Sequence, residues 1–302
     1  MKIQDYVIVG PTASGKSGFA HALAKKINGV IINCDSVQLY RGIENISASP
    51  FAGQTDKLAS GELDGVPYKL FSVATLAEHV NVSQYQKMAR VECDAAHAAG
   101  RPVVVVGGTG YYANSLMFGI SEMPEVSLET RARAREMVAA DRDAAIAMLP
   151  ADFTATDPQR VARALEIYLE TGRHITEYHR AERVGAVLSP DNTVRVLINP
   201  DMEIVRERIA ARIPEMLAGG ALTEGGAIIR SGWAPERAIG AVELVTYLRG
   251  GCSYDTMVQN WILHTNQYAK KQRTWFRQKY RPDVIIDHIP TDADLDAVIR
   301  NI

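Results

Sequence analysis

A chain of 302 residues that is 47% hydrophobic and 23% charged has the composition of an ordinary globular protein, long enough for one large domain or for a core carrying an insertion. No apolar run approaches the roughly 20 residues of a membrane helix, and a net charge of −2 does not mark the whole molecule as a nucleic-acid binder. Cys34, Cys93 and Cys252 stand far apart, with no CxxC and no histidine at metal spacing, which points away from disulfides and zinc and towards a reducing cytoplasm.

The opening residues, Met1-Lys2-Ile3-Gln4-Asp5, run into the strand-like Tyr6–Val9 and read as the start of a fold rather than a secretory leader. A glycine-rich turn follows, then helical periodicity from Lys16 to Ile27. Val30–Asn33 reads as a second buried strand, ending near Asp35, and 41–67 reads as irregular. Val82–Ala99 has helical spacing closed by Gly100. Pro102 introduces the strand Val103–Val106, and the turn Gly107-Gly108-Thr109-Gly110 leads into another helix. Alternating strands and helices predict a parallel sheet with crossover connections.

From Ile120 to Ser189 the strand signal stops. Helical stretches at Leu128–Ala140, Asp143–Leu149 and Gln159–Thr171 (closed by Gly172) predict an all-helical insertion over 120–190, between core segments 1–119 and 191–302. The core resumes with a strand at Val194–Ile198 and a helix over Met202–Leu217. A long helix near Tyr254–Lys279, a strand at Val284–Ile286 and a terminal helix complete it. The expected fold class is α/β: a P-loop NTPase-like parallel sheet flanked by helices, with a helical insertion domain. Nothing in the pattern signals a protein partner, and a monomer is the expectation.

Gly10, Pro11, Thr12, Ala13, Ser14, Gly15, Lys16 and Ser17 fit GxxxxGK[ST] in full, with a strand before and a helix after. Glycines let backbone N–H groups wrap an anion, and the following helix adds its positive N-terminal end. Lys16 would reach terminal phosphate oxygens, and the Ser17 hydroxyl would serve Mg2+. The motif signals a polyphosphate without saying which. A nucleotide hydrolase also places an acid at the end of a second buried strand, yet Val103–Val106 ends in Gly-Gly-Thr-Gly. Asp35 and Thr109, beyond the carboxyl ends of strands, face the ligand crevice of such a sheet. A cap or turn role is the alternative for Asp35, and a turn hydroxyl for Thr109. Arg208 and Arg212 share a helix face, either to reach phosphates or to sit solvated. Lys270–Arg281 (KKQRTWFRQKYR) holds six Lys/Arg and no acid, with Trp275, Phe276 and Tyr280 interleaved. That run is either the solvated face of an amphipathic helix or a local basic surface whose aromatics stack on bases.

Taken together, GPTASGKS at 10–17, CDSVQLYRG at 34–42, GRPVVVVGGTGYY at 100–112, TDPQRVARALEIYLETGR at 156–173, RERIAARIPEML at 206–217 and AKKQRTWFR at 269–277 resemble, in order and spacing, the tRNA dimethylallyltransferase (tRNA isopentenyltransferase) family, from about residue 5 to residue 280. The resemblance implies transfer of a dimethylallyl group from its diphosphate to N6 of adenosine 37, beside the anticodon. It implies a P-loop that holds the departing diphosphate, with Lys16, Ser17-bound Mg2+, Arg212 and Thr109 offsetting its charge. Asp35 would take the proton from the adenine amino group. A flipped base would be read by Asp35, Ser36, Val37 and Gln38. Gln159, Arg160, Val161, Ala162 and Arg163 would hold the anticodon stem-loop. Two segments depart from the family pattern: Ile46-Ser47-Ala48-Ser49-Pro50 stands where GTAKP is usual, and Gly240-Ala241-Val242 where Gly-Tyr and a basic residue are usual. An adenylate isopentenyltransferase acting on free AMP or ATP shares the diphosphate site and the aspartate, whereas the insertion and the basic 270–281 run favour a macromolecular acceptor. A P-loop small-molecule kinase is disfavoured by the missing acid after Val106.

Overall fold

The computed structural model describes residues 3–300; Met1 and Lys2, on which the reading of the opening residues rests in part, lie outside them. In chain order the elements are β1 (Asp5–Val9), α1 (Lys16–Ile27), β2 (Val30–Asn33), α2 (Thr55–Ser60), β3 (Glu62–Leu63), β4 (Val66–Lys69), α3 (Val82–Ala98), β5 (Val103–Gly107) and α4 (Gly110–Phe118). Then come β6 (Ile120–Ser121), α5 (Leu128–Ala140), α6 (Arg142–Ala147), α7 (Pro158–Thr171), α8 (Ile175–Arg180) and β7 (Arg183–Val184). The chain closes with β8 (Thr193–Ile198), α9 (Met202–Met216), α10 (Leu222–Ser231), α11 (Ala241–Leu248), α12 (Tyr254–Lys279), β9 (Val284–Ile286) and α13 (Asp292–Arg300). None of the described helices is long and apolar enough to cross a membrane.

Two compact units result, one of 1–117 with 187–302 and the other of 118–186. The larger holds a seven-stranded sheet ordered β3-β4-β2-β5-β1-β8-β9, parallel throughout except for β3 against β4. β1 and β5 are buried along their whole length, as parallel strands covered on both faces must be. Their side chains alternate between two cores. Val7, Val9, Ile32, Val103 and Val105 join α3, α4, α9 and α12 on one face, while Tyr6, Ile8, Ile31, Val104 and Val106 pack on α1 and α13 on the other. Registers such as Val9 opposite Gly107 and Asn33 opposite Val106 end β1, β5 and β2 side by side, so the turns after them share one rim.

Residues 41–67 are more ordered than the sequence predicts. α2, β3 and the start of β4 lie there, and β4 pairs with β2 through Tyr68 and Lys69. Pro67 within this four-residue strand disguises it; the Tyr68 amide, donating to the Gly61 carbonyl at 2.7 Å, holds β4 to β3, so no Pro67 N–H is needed there.

The smaller unit packs α5 and α7 around Ala134, Val138, Val161, Leu165 and Ile167. It is not all-helical: β6 and β7 form an antiparallel pair (Ile120 with Val184, Ser121 with Arg183), each too short to show a period in the sequence. The short helix α8 also escapes the sequence reading. Residues 187–190, expected in the insertion, fall in the larger unit: the Val187 and Leu188 amides both donate to the Leu116 carbonyl, and Leu188 is buried in the main core.

Candidate active site on the rim of the sheet

The loop from Gly10 to Ser17 leaves β1 and enters α1. Ala13 and Gly15 take left-handed backbone conformations (φ 62° and 90°), which curl the chain into a concave turn, and the Ser14 amide closes it on the Pro11 carbonyl at 3.3 Å. The Lys16 ammonium folds back over this turn to the Pro11 carbonyl at 3.1 Å. Burial lowers its pKa to about 8, an effect opposed by the Asp35 carboxylate and reinforced by the Arg212 charge. Ser14 is fully buried, and its hydroxyl has no partner among the described residues. Ser17 is exposed in the first turn of α1, where amides have no partner within the helix.

Two arginines one turn apart on α9 reach this loop. Arg208 Nε donates to the Ala13 carbonyl at 2.9 Å, and Arg212 Nη2 donates to Thr12 Oγ1 at 2.7 Å. Burial and the neighbouring Arg208 charge weaken the hold of Arg212 on its proton, and its Nε has no partner among the described residues. Lys16 and Arg212 are thus close cations, with Asp35 as the nearby counter-charge that both feel.

Asp35 is held from β2. The Asn33 side chain accepts from the Asp35 amide at 2.8 Å and donates to the Asp35 carbonyl at 3.0 Å and the Leu70 carbonyl at 2.9 Å. Asp35 Oδ1 accepts from the Val37 amide at 3.0 Å, an Asx turn that fixes the carboxylate. Thr109, on the turn after β5, accepts from the Ser36 amide at 3.0 Å through Oγ1, which also donates to Ser36 Oγ at 3.2 Å. The Thr109 amide closes the strap on the Cys34 carbonyl at 3.1 Å. Asp35, Ser36 and Thr109 therefore form one rigid cluster facing the P-loop. Cys34 itself is buried, and burial pushes its thiol far above the ordinary range, so it has no nucleophilic role.

Gln38 is not free beside them: its Nε2 donates to the Ser47 and Ala48 carbonyls, both at 3.1 Å. The departing segment 46–50 is docked by that amide, while Glu224 accepts from the Asn45 and Ile46 amides at 2.8 Å each. At the other departure, Ala241 is buried at the start of α11 and the Gly240 amide donates to Glu243 at 2.8 Å.

In the smaller unit, Gln159 and Arg160 are exposed at the N-terminus of α7, where Asp157 Oδ1 accepts from both amides at 3.1 Å. Val161 and Ala162, expected to touch RNA, are instead buried in that unit's own core, because α7 turns their face towards α5. Arg163 is half-buried and paired with the buried Glu166 at 3.0 Å.

The aromatics of the 270–281 run also resolve. Phe276 and Tyr280 are buried, Tyr280 donates to the Val7 carbonyl at 3.3 Å, and Trp275 lies against Gly110 so closely that a Cβ there would fall 2.0 Å from its ring. Phe276 and Tyr280 are core residues rather than stacking surfaces, and the half-buried Trp275 packs against that core. The cations face outward, and Arg206, Lys270, Arg273 and Arg277 line an open groove of about 510 Å3 with Met202 and Leu263 and no acid.

One rim residue lies within the AKKQRTWFR segment without a role that the sequence assigns it. Gln272, buried on α12, accepts from the Thr12 amide at 2.9 Å and donates to the Gly108 carbonyl at 2.9 Å. As for metals, no group of three His, Cys, Asp or Glu side chains among the described residues is arranged to hold a cation. The exposed Ser17 hydroxyl beside an anion cradle suits Mg2+, an ion that keeps waters and takes most of its other ligands from substrate phosphates.

Comparison with known proteins gives the family of the chain. The family model described as IPP transferase matches residues 38–279, and one described as isopentenyl transferase matches 3–63. The tRNA dimethylallyltransferase of Acidiphilium cryptum (strain JF-5) is 38% identical over 289 residues, 92% of this chain and 85% of that protein. The crystal structure of the full-length tRNA isopentenylpyrophosphate transferase from Bacillus halodurans is similar with a TM-score of 0.67 and 27% identity, over 99% of this chain and 95% of that one. A eukaryotic dimethylallyltransferase acting on tRNA shares the fold with a TM-score of 0.74 at 23% identity, over 99% of this chain and 78% of that one. The match reaches from the P-loop strand to the last turn of α12, and on that extent the chain belongs to the IPP transferase family, that of the tRNA dimethylallyltransferases.

Proposed function

We infer that the chain is a tRNA dimethylallyltransferase, moving a dimethylallyl group from dimethylallyl diphosphate to N6 of adenosine 37 of a tRNA. The observation that carries the reading is the meeting of two half-buried cations, Lys16 and Arg212, with the braced carboxylate of Asp35 on one rim. Such a site suits a reaction in which an anion leaves and a proton is removed together.

The Thr12 amide is taken by Gln272 and that of Ser14 by the Pro11 carbonyl, so the remaining P-loop amides and the start of α1 take the diphosphate. As the allylic C–O bond breaks, charge builds on the leaving oxygen, and Lys16, Arg212 and Thr109 offset it. Ser17 would hold Mg2+ here, and the ion would add further stabilisation of the leaving group's charge. The N6 amine attacks the allylic carbon, and Asp35 takes the proton it sheds. Ser36, Val37 and Gln38 line the base, with Gln38 acting mostly by holding residues 47 and 48 in place. Gln159, Arg160 and Arg163 hold the anticodon stem-loop, with Val161 and Ala162 acting by packing the helix that presents them. The basic outer face of α12 supports an acceptor with a phosphodiester backbone rather than a free nucleotide. We place the protein in the cytoplasm, where its acceptor is.

The test is incubation of the purified protein with Mg2+, dimethylallyl diphosphate and unmodified tRNA bearing adenosine 3′ of the anticodon. AMP and ATP are run as parallel acceptors and nucleosides are read by mass spectrometry. Isopentenyladenosine in the tRNA alone is expected; prenylated AMP or ATP without modified tRNA would replace this acceptor with a free nucleotide.

A further inference from the structure

Gln272 ties together the two sides of the rim that the reaction must hold in register. Its carboxamide is buried, and its orientation is dictated by its partners: the Thr12 amide requires an acceptor and the Gly108 carbonyl a donor, so Oε1 faces the P-loop and Nε2 the turn after β5. Thr12 is thereby gripped twice, through its amide by α12 and through its hydroxyl by Arg212 of α9. On the other side, Gly108 precedes Thr109, and a Cβ at Gly108 would fall 2.4 Å from Gln272 Nε2 and 3.3 Å from Asp35 Oδ2. Glycine at 108 is what lets the Gln272 carboxamide lie against this turn. Tyr268, one turn earlier on α12, lies beside Gln272 and feels the Asp35 charge, and burial pushes its phenol pKa up.

A buried side chain that consumes a P-loop amide is otherwise a poor arrangement, since that amide is lost to the anion. It gains a fixed distance between the diphosphate cradle and the acceptor's base. We propose that Gln272 is a positioning residue for prenyl transfer, setting the separation between the P-loop at Thr12 and the Thr109–Asp35 cluster through its two hydrogen bonds. It touches neither substrate. The inference rests on the transferase reading, and it adds that donor and acceptor are aligned by α12 and not by the sheet alone.

The test compares wild type, Gln272→Met (similar length and volume, neither hydrogen bond), Gln272→Glu (acceptor for Thr12 kept, donor to Gly108 lost), Gly108→Ala and the Gly108→Ala/Gln272→Met double variant. Misplacement of reacting groups by about 1 Å costs on the order of 100-fold. Gln272→Met should therefore lower kcat about 100-fold, with the Kd of tRNA and of dimethylallyl diphosphate each within about threefold. Gln272→Glu should fall between it and wild type. Because Gly108→Ala and Gln272→Met break the same contact, the double variant should be no slower than the slower single one. Near-normal kcat in Gln272→Met would overturn the proposal, as would losses of affinity matching the loss of kcat, or fully additive effects in the double variant. A wild-type protein that binds both substrates but transfers nothing would instead overturn the transferase reading, and the proposal with it.

Discussion

Burying two cations near one another is unfavourable until an anion joins them, and Lys16 carries the consequence, its pKa drawn down to about 8. Below that pH Lys16 is charged with or without ligand. Above it, the empty site has released the proton while a diphosphate-bound site holds it. Donor binding then takes up a proton, and affinity falls by up to about tenfold per pH unit until the ordinary lysine range is reached. The same depression costs stability in the empty protein below pH 8, and the cost fades as pH rises. Calorimetric titration of dimethylallyl diphosphate in two buffers of different ionisation heat should show almost no proton uptake at pH 7 and nearly one proton at pH 9. Equal uptake at both would remove Lys16 as the titrating cation, and Lys16→Met should abolish the difference. At Asp35 the structure permits a clean substitution, because Asp35→Asn keeps the Oδ1 acceptor that the Val37 amide needs. Turnover should drop by about 100-fold or more, the usual worth of a positioned base, with tRNA affinity unchanged. A variant at near-wild-type rate would show that the proton goes elsewhere.

The helices and strands that matter most announce themselves through local physics, and those that were missed do so only through partners distant in the chain. α7 is legible because Asp157-Pro158 starts it and Gly172, at φ 71°, stops it. β1, β2 and β5 are legible as unbroken apolar runs, whereas β4 takes its identity from pairing with β2 across an intervening loop. The same division holds in the site. Gly10–Ser17 is a contiguous motif, and Asp35 and Thr109 are legible because they lie just past strand ends. Gln272 stands in the AKKQRTWFR segment, but its bridging role is not legible there, since its partners Thr12 and Gly108 stand 260 and 164 positions away. Val161 and Ala162, which the family resemblance places at the anticodon loop, are turned into the unit's own core by helical spacing. The α7 cap gives this scale its own test. Asp157→Ala leaves two amides without their acceptor and should cost about 1 kcal/mol, read as a roughly fivefold loss of hydrogen-exchange protection along α7. Asp157→Asn should recover most of it. Full protection in the alanine variant would mean that packing against α5, not the cap, holds the helix end.

Net charge describes the whole molecule poorly here, because its cations are sorted by α12. Met257, Trp261, Thr265, Ala269, Gln272 and Phe276 occupy the buried face, and a helix so anchored has no freedom to turn its other residues away from solvent. Lys270, Arg273 and Arg277 are thereby aligned with Arg206 of α9 along one groove. A chain of net charge −2 thus presents a local surface of one sign, and at a Debye length of about 8 Å in physiological salt a polyanion senses that surface more than the total. Each phosphate neutralised releases about 0.7 to 0.9 counterion, so the number of contacts is readable from salt dependence alone. Replacing Lys270 and Arg277 together with glutamine should therefore flatten the slope of log affinity for tRNA against log salt by about 1.5. The loss should be largest at low salt and shrink as salt rises. Wild type and variant giving parallel lines would mean that the groove meets no phosphate and that the acceptor's backbone is gripped by cations outside α12.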